Sequence, residues 1–211
     1  MRKLTPDDIL DLRAYERVRD ERRRAVIELK RRRRVALGDF VSLVFENTET
    51  MRHQIQEMAR AEKMLRDEQI EHEVATYNEL IPDDGQLSCT MFIELDDEAK
   101  LREWLPRLVG IEDSIVFVLA DGVEVRGYDP EADRLTRTDT TAAVHFLNFD
   151  FDEAQRATFA AGAVRLRCDH VDYPVTVELT ATQLDELRQD LLHHASIDPK
   201  NSGLSTHLGE G

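Results

Sequence analysis

Pairs of short alternating segments joined by turn sequences are the feature that most constrains the fold of this chain. The clearest pair is 114–120 and 123–128, joined by Asp121-Gly122, a dipeptide that favours a tight hairpin turn. Two further pairs occur within 35–45 and 164–179. Hairpins pair their strands antiparallel, and no βαβα alternation is present. The sequence therefore predicts an α+β fold with a mainly antiparallel sheet.

Helical periodicity accounts for most of the remaining sequence, and it predicts an N-terminal helical region and a helix pair packed on the sheet. The predicted helices lie at 5–31, 48–64, 67–81, 96–108, 152–160 and 181–192. The tail from 196 is polar and glycine-rich without periodicity, which is typical of disorder. The predicted organisation is a basic helical segment at 1–34, an α+β domain at 35–193 and a disordered tail at 194–211.

Charge is distributed unevenly along the chain. The net charge is −15 over 211 residues, whereas 1–34 carries 13 Lys and Arg against 7 Asp and Glu, so the remainder is strongly acidic. Such a body repels nucleic acid and anionic membrane. We therefore expect the basic segment to lie against its own acidic body or an acidic partner. The arginine clusters at 22–24 and 30–34 leave a nucleic-acid contact open as an alternative.

The sequence has no feature of a membrane or secreted protein. Its longest apolar run, 115–120, is far shorter than a membrane span. The first residues are charged and lack the apolar stretch of a signal peptide. Two cysteines, Cys89 and Cys168, do not suggest a disulfide framework. We expect a soluble cytoplasmic protein.

The helix at 48–64 carries polar residues close to its apolar side. Successive helical residues turn by about 100°, which places Glu62 within the apolar stripe of Met51 and Ile55, with Gln54 at its edge and Glu57 further round. A carboxylate in such a stripe needs a partner, because burying it alone is costly. An arginine of the N-terminal helix is the favoured partner, and a functional carboxylate is the alternative.

Glu49, His53 and Glu57 are spaced i, i+4, i+8, a pattern that could ligate a metal ion. The same geometry turns His53 away from the apolar stripe and towards solvent. A solvated face with i,i+4 pairs is therefore the favoured interpretation. In the next helix, Tyr77 lies on the apolar stripe and Asn78 flanks it.

Strand alternation predicts that four potential metal ligands share the interior of the sheet: Cys89, His145, Cys168 and His170. A Cys₂His₂ site is conceivable. However, the chain lacks the short Cys-x-x-Cys spacing that such sites use. Buried thiols and hydrogen-bonded histidines are therefore the favoured interpretation.

Several short motifs together resemble a bacterial family of unknown function, a DUF family, over about 35–190. They are Phe45-Glu46-Asn47, Gln54-Ile55-Gln56-Glu57-Met58, Tyr77-Asn78-Glu79-Leu80-Ile81-Pro82, Thr90-Met91-Phe92-Ile93-Glu94, Val144-His145-Phe146-Leu147 and Asp169-His170. The resemblance implies no established activity. It implies genes beside a rubrerythrin-like di-iron protein and an iron–sulfur oxidoreductase similar to heterodisulfide reductase subunits. The residues carried over are Glu46, Gln54, Glu57, Glu62, Tyr77, Asn78, Glu94, His145, Asp169 and His170.

Two functions from different classes follow. The first is an accessory or interaction protein of a cytoplasmic redox or oxidative-stress system, with rubrerythrin-like and iron–sulfur proteins as partners. The alternative is a metal-dependent or acid/base enzyme in which carboxylates of the 48–64 helix converge with sheet histidines around Fe, Mn or Zn. Its catalytic candidates are Glu46, Gln54, Glu57, Glu62, Tyr77, Asn78, His145 and His170. Its metal-ligand candidates are Glu57, Glu62, His145 and His170.

Overall fold

The computed structural model describes residues 1–130 and 139–192, which form six α-helices and eight β-strands. Short 3-10 helices, Pro6–Asp8 and Ile111–Ser114, precede α1 and β4. The bounds in chain order are α1 Leu12–Arg32, β1 Arg34–Leu37, β2 Val41–Phe45, α2 Thr48–Ala61, α3 Asp67–Asn78, β3 Gln86–Ile93, α4 Glu98–Arg107, β4 Ile115–Val118, β5 Glu124–Arg126, β6 Val144–Asp150, α5 Glu153–Ala161, β7 Arg165–Cys168, β8 Val175–Glu178 and α6 Ala181–Leu192.

The strands form two four-stranded antiparallel sheets around one hydrophobic core. Their orders are β1-β2-β3-β6 and β5-β4-β7-β8, and an isolated bridge between Tyr128 and Asn148 links them. This arrangement confirms the predicted α+β class and antiparallel pairing. The centre of the core is a group of phenylalanine rings with centroids 4.8–6.3 Å apart: Phe45, Phe117, Phe149, Phe151 and Phe159.

The predicted alternation is confirmed in β6 and β7, whereas β2 and most of β3 are buried on both faces. In β6, His145, Leu147 and Phe149 are fully buried, while the residues between them are more exposed. Cys89 and Cys168 are buried free thiols, and burial raises the pKa of each. Both cysteines and His145 are therefore interior to the sheets as expected, whereas His170 is buried beyond the end of β7, in the β7–β8 connection.

The N-terminal segment is anchored to α2 and α3 by a second, smaller core and by two side-chain amides. Gln56 accepts a hydrogen bond from Leu10 N (2.9 Å) and donates one to Leu10 O (2.8 Å). Asn78 makes the same two contacts with Leu4, at 2.8 and 2.9 Å. A primary amide has an acceptor oxygen and a donor nitrogen side by side. Each amide therefore binds both the N–H and the C=O of one backbone residue, as a neighbouring β-strand does.

Arginines in the middle and at the C-terminal end of α1 bind acidic groups of the body. Arg19 pairs with Glu57 and Arg32 with Glu186. Arg33, which is almost completely buried, pairs with Asp190 on α6 and donates to the carbonyls of residues 45 and 46. The basic segment thus lies in part against its own acidic body, one of the two arrangements that its charge predicted.

The predicted position of Glu62 is wrong. The helix α2 ends at Ala61, and Glu62 is its exposed C-cap residue. Lys63 then adopts a left-handed conformation with φ 52°, and Leu65 is 79% exposed. A rotation of 100° per residue holds only while the backbone remains helical. The helical angle therefore does not apply to Glu62, because the helix has already ended at Ala61.

No helix in the described ranges is both long and apolar enough to cross a membrane. The tail predicted to be disordered, 194–211, lies outside the described residues.

Candidate functional site

The side of α2 that was expected to face solvent is covered by α1. Tyr15 is fully buried, and its hydroxyl donates to Glu57 Oε1 over 2.5 Å. Arg19 donates to both oxygens of the same carboxylate, from Nε and Nη2, at 2.8 Å each. His53 Nδ1 lies 3.5 Å from the Tyr15 hydroxyl. This hydrogen-bond network replaces the predicted solvated face, because α1 supplies partners from a distant part of the sequence.

The charge states of this network are set by the ion pair and by burial. Hydrogen bonds from Arg19 lower the pKa of Glu57 to about 2. Burial and the adjoining Glu57 raise the pKa of Tyr15, and burial lowers the pKa of His53. A general base works best with a pKa near the working pH. Glu57 is therefore suited to holding α1 against α2 rather than to accepting protons.

A cavity of about 240 Å³ adjoins the network, between the second half of α1 and the first half of α2. We refer to it as the α1–α2 crevice. Its polar lining groups come from both helices: Tyr15, Arg22, Glu49, Arg52, His53 and Gln56. Arg52 donates from Nη1 to Glu49 (2.9 Å), whereas its Nε is buried and has no hydrogen-bond partner in the described parts of the chain. Arg22 and Arg52 therefore give the crevice a cationic lining.

Glu46 is a buried carboxylate at the end of β2. Its Oε1 accepts a hydrogen bond from Thr90 Oγ1 (2.8 Å), and its Oε2 has no hydrogen-bond partner within residues 1–130 and 139–192. The helix residues Gln54 and Tyr77 interact with each other between α2 and α3, and burial raises the pKa of Tyr77. Asn78 is occupied by its contacts with Leu4. These residues join secondary-structure elements to one another.

His145 lies inside the sheet core in a polar cluster. Its Nδ1 is 3.3 Å from Asp129 Oδ2, and its Nε2 is 2.8 Å from Thr141 Oγ1 and 3.0 Å from Ala142 O. The order hydroxyl, imidazole, carboxylate is that of a nucleophilic triad. All three side chains are buried, however, and His145 is completely enclosed. The cluster holds the start of β6 against the segment after β5.

His170 lies in the β7–β8 connection, and both of its ring nitrogens are hydrogen-bonded to backbone groups. Its Nδ1 accepts from Asp172 N (3.2 Å), so Nε2 is the donor to Val109 O (3.1 Å). Two further carboxylates from the family motifs are in surface ion pairs. Glu94 pairs with Arg34, and Asp169 pairs with Arg167, which lowers the pKa of each acid.

The structure does not bring the predicted enzyme site together. Glu57 has its hydrogen-bond partners on α1, and Glu62 is exposed. His145 and His170 share no hydrogen-bond partner with either carboxylate among the described residues. Within the described ranges, no three His, Cys, Asp or Glu side chains are arranged to hold a metal ion. The convergence required for Fe, Mn or Zn is therefore not seen for Glu57, Glu62, His145 and His170.

Five residues that decide these roles were not among the candidates from sequence: Tyr15, Arg19, Arg52, Asp129 and Thr141. Tyr15 and Arg19 are spaced i, i+4 on α1, which indicates that they share a face. That spacing could have identified a polar contact surface on α1. Nothing in the sequence indicated that Glu57 would be the residue opposite them.

Comparison with known proteins adds a family and one solved relative. A family model described as "Protein of unknown function (DUF3501)" matches residues 3–191. The chain is similar to a crystal structure titled as a novel protein of unknown function from Burkholderia pseudomallei K96243. The identity is 36% and the TM-score 0.84, over 90% of this chain and 100% of that one. A search of curated proteins gave no match.

Proposed function

This chain belongs to the DUF3501 family of proteins of unknown function, and we propose that it acts as an accessory protein that binds an acidic protein surface through α1. The observation that carries the proposal is the outward face of α1. Arg13, Arg17, Arg24 and Arg31 lie within about 40° of one another around the helix axis, on the side opposite Tyr15. All four are exposed. We call this set the basic face.

The basic face contrasts with the rest of α1. Three arginines that contact the body, Arg19, Arg32 and the C-cap residue Arg33, are each paired with a carboxylate. Arg13, Arg17 and Arg24 form no ion pair with the described residues, and Arg31 has only an exposed pair with Glu28. Four acidic residues border this set, Glu16, Asp20, Glu21 and Glu28, and two of them are paired with arginines, Glu16 with Arg60 and Glu28 with Arg31. Surface arginines suit an interface with carboxylates because their planar fork binds two oxygens at once.

An acidic protein fits the charge distribution better than nucleic acid does. The helix is about 32 Å long at 1.5 Å per residue. A nucleic acid carries one phosphate charge per about 1.7 Å and extends beyond such a helix, so it would also meet the acidic remainder of a chain with net charge −15. An acidic patch on a folded partner can be small enough to contact the basic face alone. Repulsion between the partner and the acidic remainder of this chain is then weak, because charges more than about 8 Å apart are largely screened at physiological salt.

The family resemblance supplies the partners to test first. They are rubrerythrin-like and iron–sulfur proteins, which makes the proposed role one in a redox or oxidative-stress system of the cytoplasm. The two buried free thiols are compatible with a reducing compartment. The rubrerythrin and redox parts of the proposal rest on the family resemblance.

The experiment compares capture by the wild-type chain with capture by a triple variant, R13E/R17E/R24E. A control triple, K100E/R102E/R165E, makes the same change in net charge at other exposed positions. We expect the wild-type chain and the control variant to capture a rubrerythrin-like or iron–sulfur protein, and the basic-face variant to lose that capture. The same pattern should be seen with the purified partner. Equal capture by both variants, or no such partner under native expression, would contradict it. Salt-dependent RNA binding lost in the basic-face variant would favour nucleic acid instead.

A further inference from the structure

We propose that the α1–α2 crevice binds a small organic anion, through a carboxylate or phosphate group held by Arg22 and Arg52. This inference goes beyond the proposed function. The crevice is lined from the side of α1 that faces α2, whereas the basic face lies on the opposite side. The two can therefore be tested separately.

Arg52 is the first observation. Its side chain is only 22% exposed, and one of its donors, Nη1, is used by Glu49. Its Nε is buried and has no hydrogen-bond partner among residues 1–130 and 139–192. The remaining exposed part of the guanidinium group keeps its charge at the crevice. An anion in the crevice would meet this part of the group, because Nε itself is enclosed by protein.

Arg22 is the second observation, because it reaches the same cavity from the other helix. It is half-buried and forms no ion pair with any described residue. A guanidinium group matches the geometry of carboxylate and phosphate and binds them in a bidentate manner. Two arginines on facing helices that line one cavity can bind one anionic group between them.

The charge around the crevice also favours an anion. Arg19, which neutralises Glu57, is one of three cations that act on His53, together with Arg23 and Lys30. Each of the three lowers the pKa of His53, in addition to the larger effect of burial, while Glu57 raises it. Glu49 is the remaining carboxylate of the lining, and its side chain is 56% exposed. An anion would offset the excess positive charge.

The size and the wall of the crevice limit the ligand. A volume of about 240 Å³ is smaller than the roughly 300–1,000 Å³ of pockets that take drug-sized ligands. Ala25 and Val26 form an apolar part of the lining. These features fit a molecule with a carboxylate or phosphate group and a short apolar portion. Inorganic phosphate and butyrate are the probes, because phosphate tests the anion alone and butyrate adds the apolar portion.

The experiment titrates the full chain with each probe while the His53 ring is followed by NMR. We expect saturable binding at about millimolar concentration and a rise in the pKa of His53. The variants R22Q and R52Q should weaken binding by about tenfold or more, since each removes a charge-assisted hydrogen bond. R60Q is the matched control, because Arg60 is also on α2 and also pairs with a glutamate, Glu16.

Ala25→Glu is a second test that leaves both arginines in place. It adds a carboxylate to the crevice wall at an exposed helical position, so it should abolish binding without preventing folding. The inference is overturned if neither probe shows saturable binding below about 50 mM, or if R22Q and R52Q bind as R60Q does. The two proposals can fail separately. If no partner is captured but phosphate binds at the crevice, only the proposed function is contradicted. If a partner is captured through the basic face but neither probe binds, only this inference is contradicted.

Discussion

Arg19 and Glu57 join α1 to α2 through two parallel hydrogen bonds of 2.8 Å each. The pair is partly buried, and Tyr15 adds a third donor to the same carboxylate. Glu57→Gln should therefore lower the free energy of unfolding by about 1.5–3 kcal/mol, as hydrogen bonds to charged groups contribute. Glu16→Gln is the control, because it breaks a more exposed ion pair between the same helices, expected to cost about 1 kcal/mol or less. Urea unfolding measures both, and equal small losses would contradict the role of Glu57.

The Glu57 interaction should also disappear in acid. The pKa of this carboxyl falls from an ordinary 4.5 to about 2 in the folded protein. A lowered folded-state pKa contributes stability that is fully present above the unfolded-state pKa and is lost as pH falls through the folded-state value. The stability difference between wild type and Glu57→Gln should be constant near neutral pH and shrink between about pH 4.5 and pH 2. A difference that stays constant throughout acid unfolding experiments would exclude this mechanism.

The buried pair of Arg33 and Asp190 should be strongly coupled. Burial raises the pKa of Asp190, and the adjoining Arg33 opposes that rise. Arg33→Met leaves a buried carboxyl group without its cation and should cost about 3–5 kcal/mol. The double variant Arg33→Met/Asp190→Leu should be more stable than Arg33→Met, because no unpaired charge remains. A double-mutant cycle with additive losses would show that the two residues are not coupled.

His145 should contribute to stability in a way that an exposed histidine does not. His145→Ala removes a fully buried ring and its contacts with Asp129 and Thr141, and the expected loss is about 2–4 kcal/mol. The exposed His72 is the control, since His72→Ala should change stability by no more than about 0.5 kcal/mol. Thermal and urea unfolding should agree on this order. Similar values for the two variants would mean that the buried cluster does not stabilise the fold.

Gly38 in the β1–β2 turn should tolerate alanine less well than Gly122 in the β4–β5 turn. Both have positive φ, +77° and +85°, so an alanine at either position should cost about 1–2 kcal/mol in backbone strain. At Gly38 the new Cβ would also lie 2.6 Å from the Tyr173 hydroxyl, which donates to Leu37 O. At Gly122 nothing lies within 4 Å. Gly38→Ala should therefore be less stable than Gly122→Ala, and a reversed order would contradict the close contact.

The predictions from sequence succeeded where the signal is local. The Asp121-Gly122 turn, the alternation in β6 and the limits of α3 and α6 at Asp67 and Leu192 depend on residues close together in the chain. The burial of His145 followed from the same alternation. The error at Glu62 arose where a local rule was extended beyond the end of its helix at Ala61.

The site depended on contacts between distant parts of the chain. Tyr15 and Glu57 are 42 positions apart, and Arg33 and Asp190 are 157 apart. The sequence by itself determined the fold class, most element positions and the inward direction of the strand residues. Only the tertiary structure decided that α1 covers the polar side of α2, that Glu57 is bound by Arg19, and that Arg22 and Arg52 share a crevice. Periodicity predicts the direction of a side chain relative to its own helix or strand. The residues that it contacts in that direction are determined by how the whole chain packs.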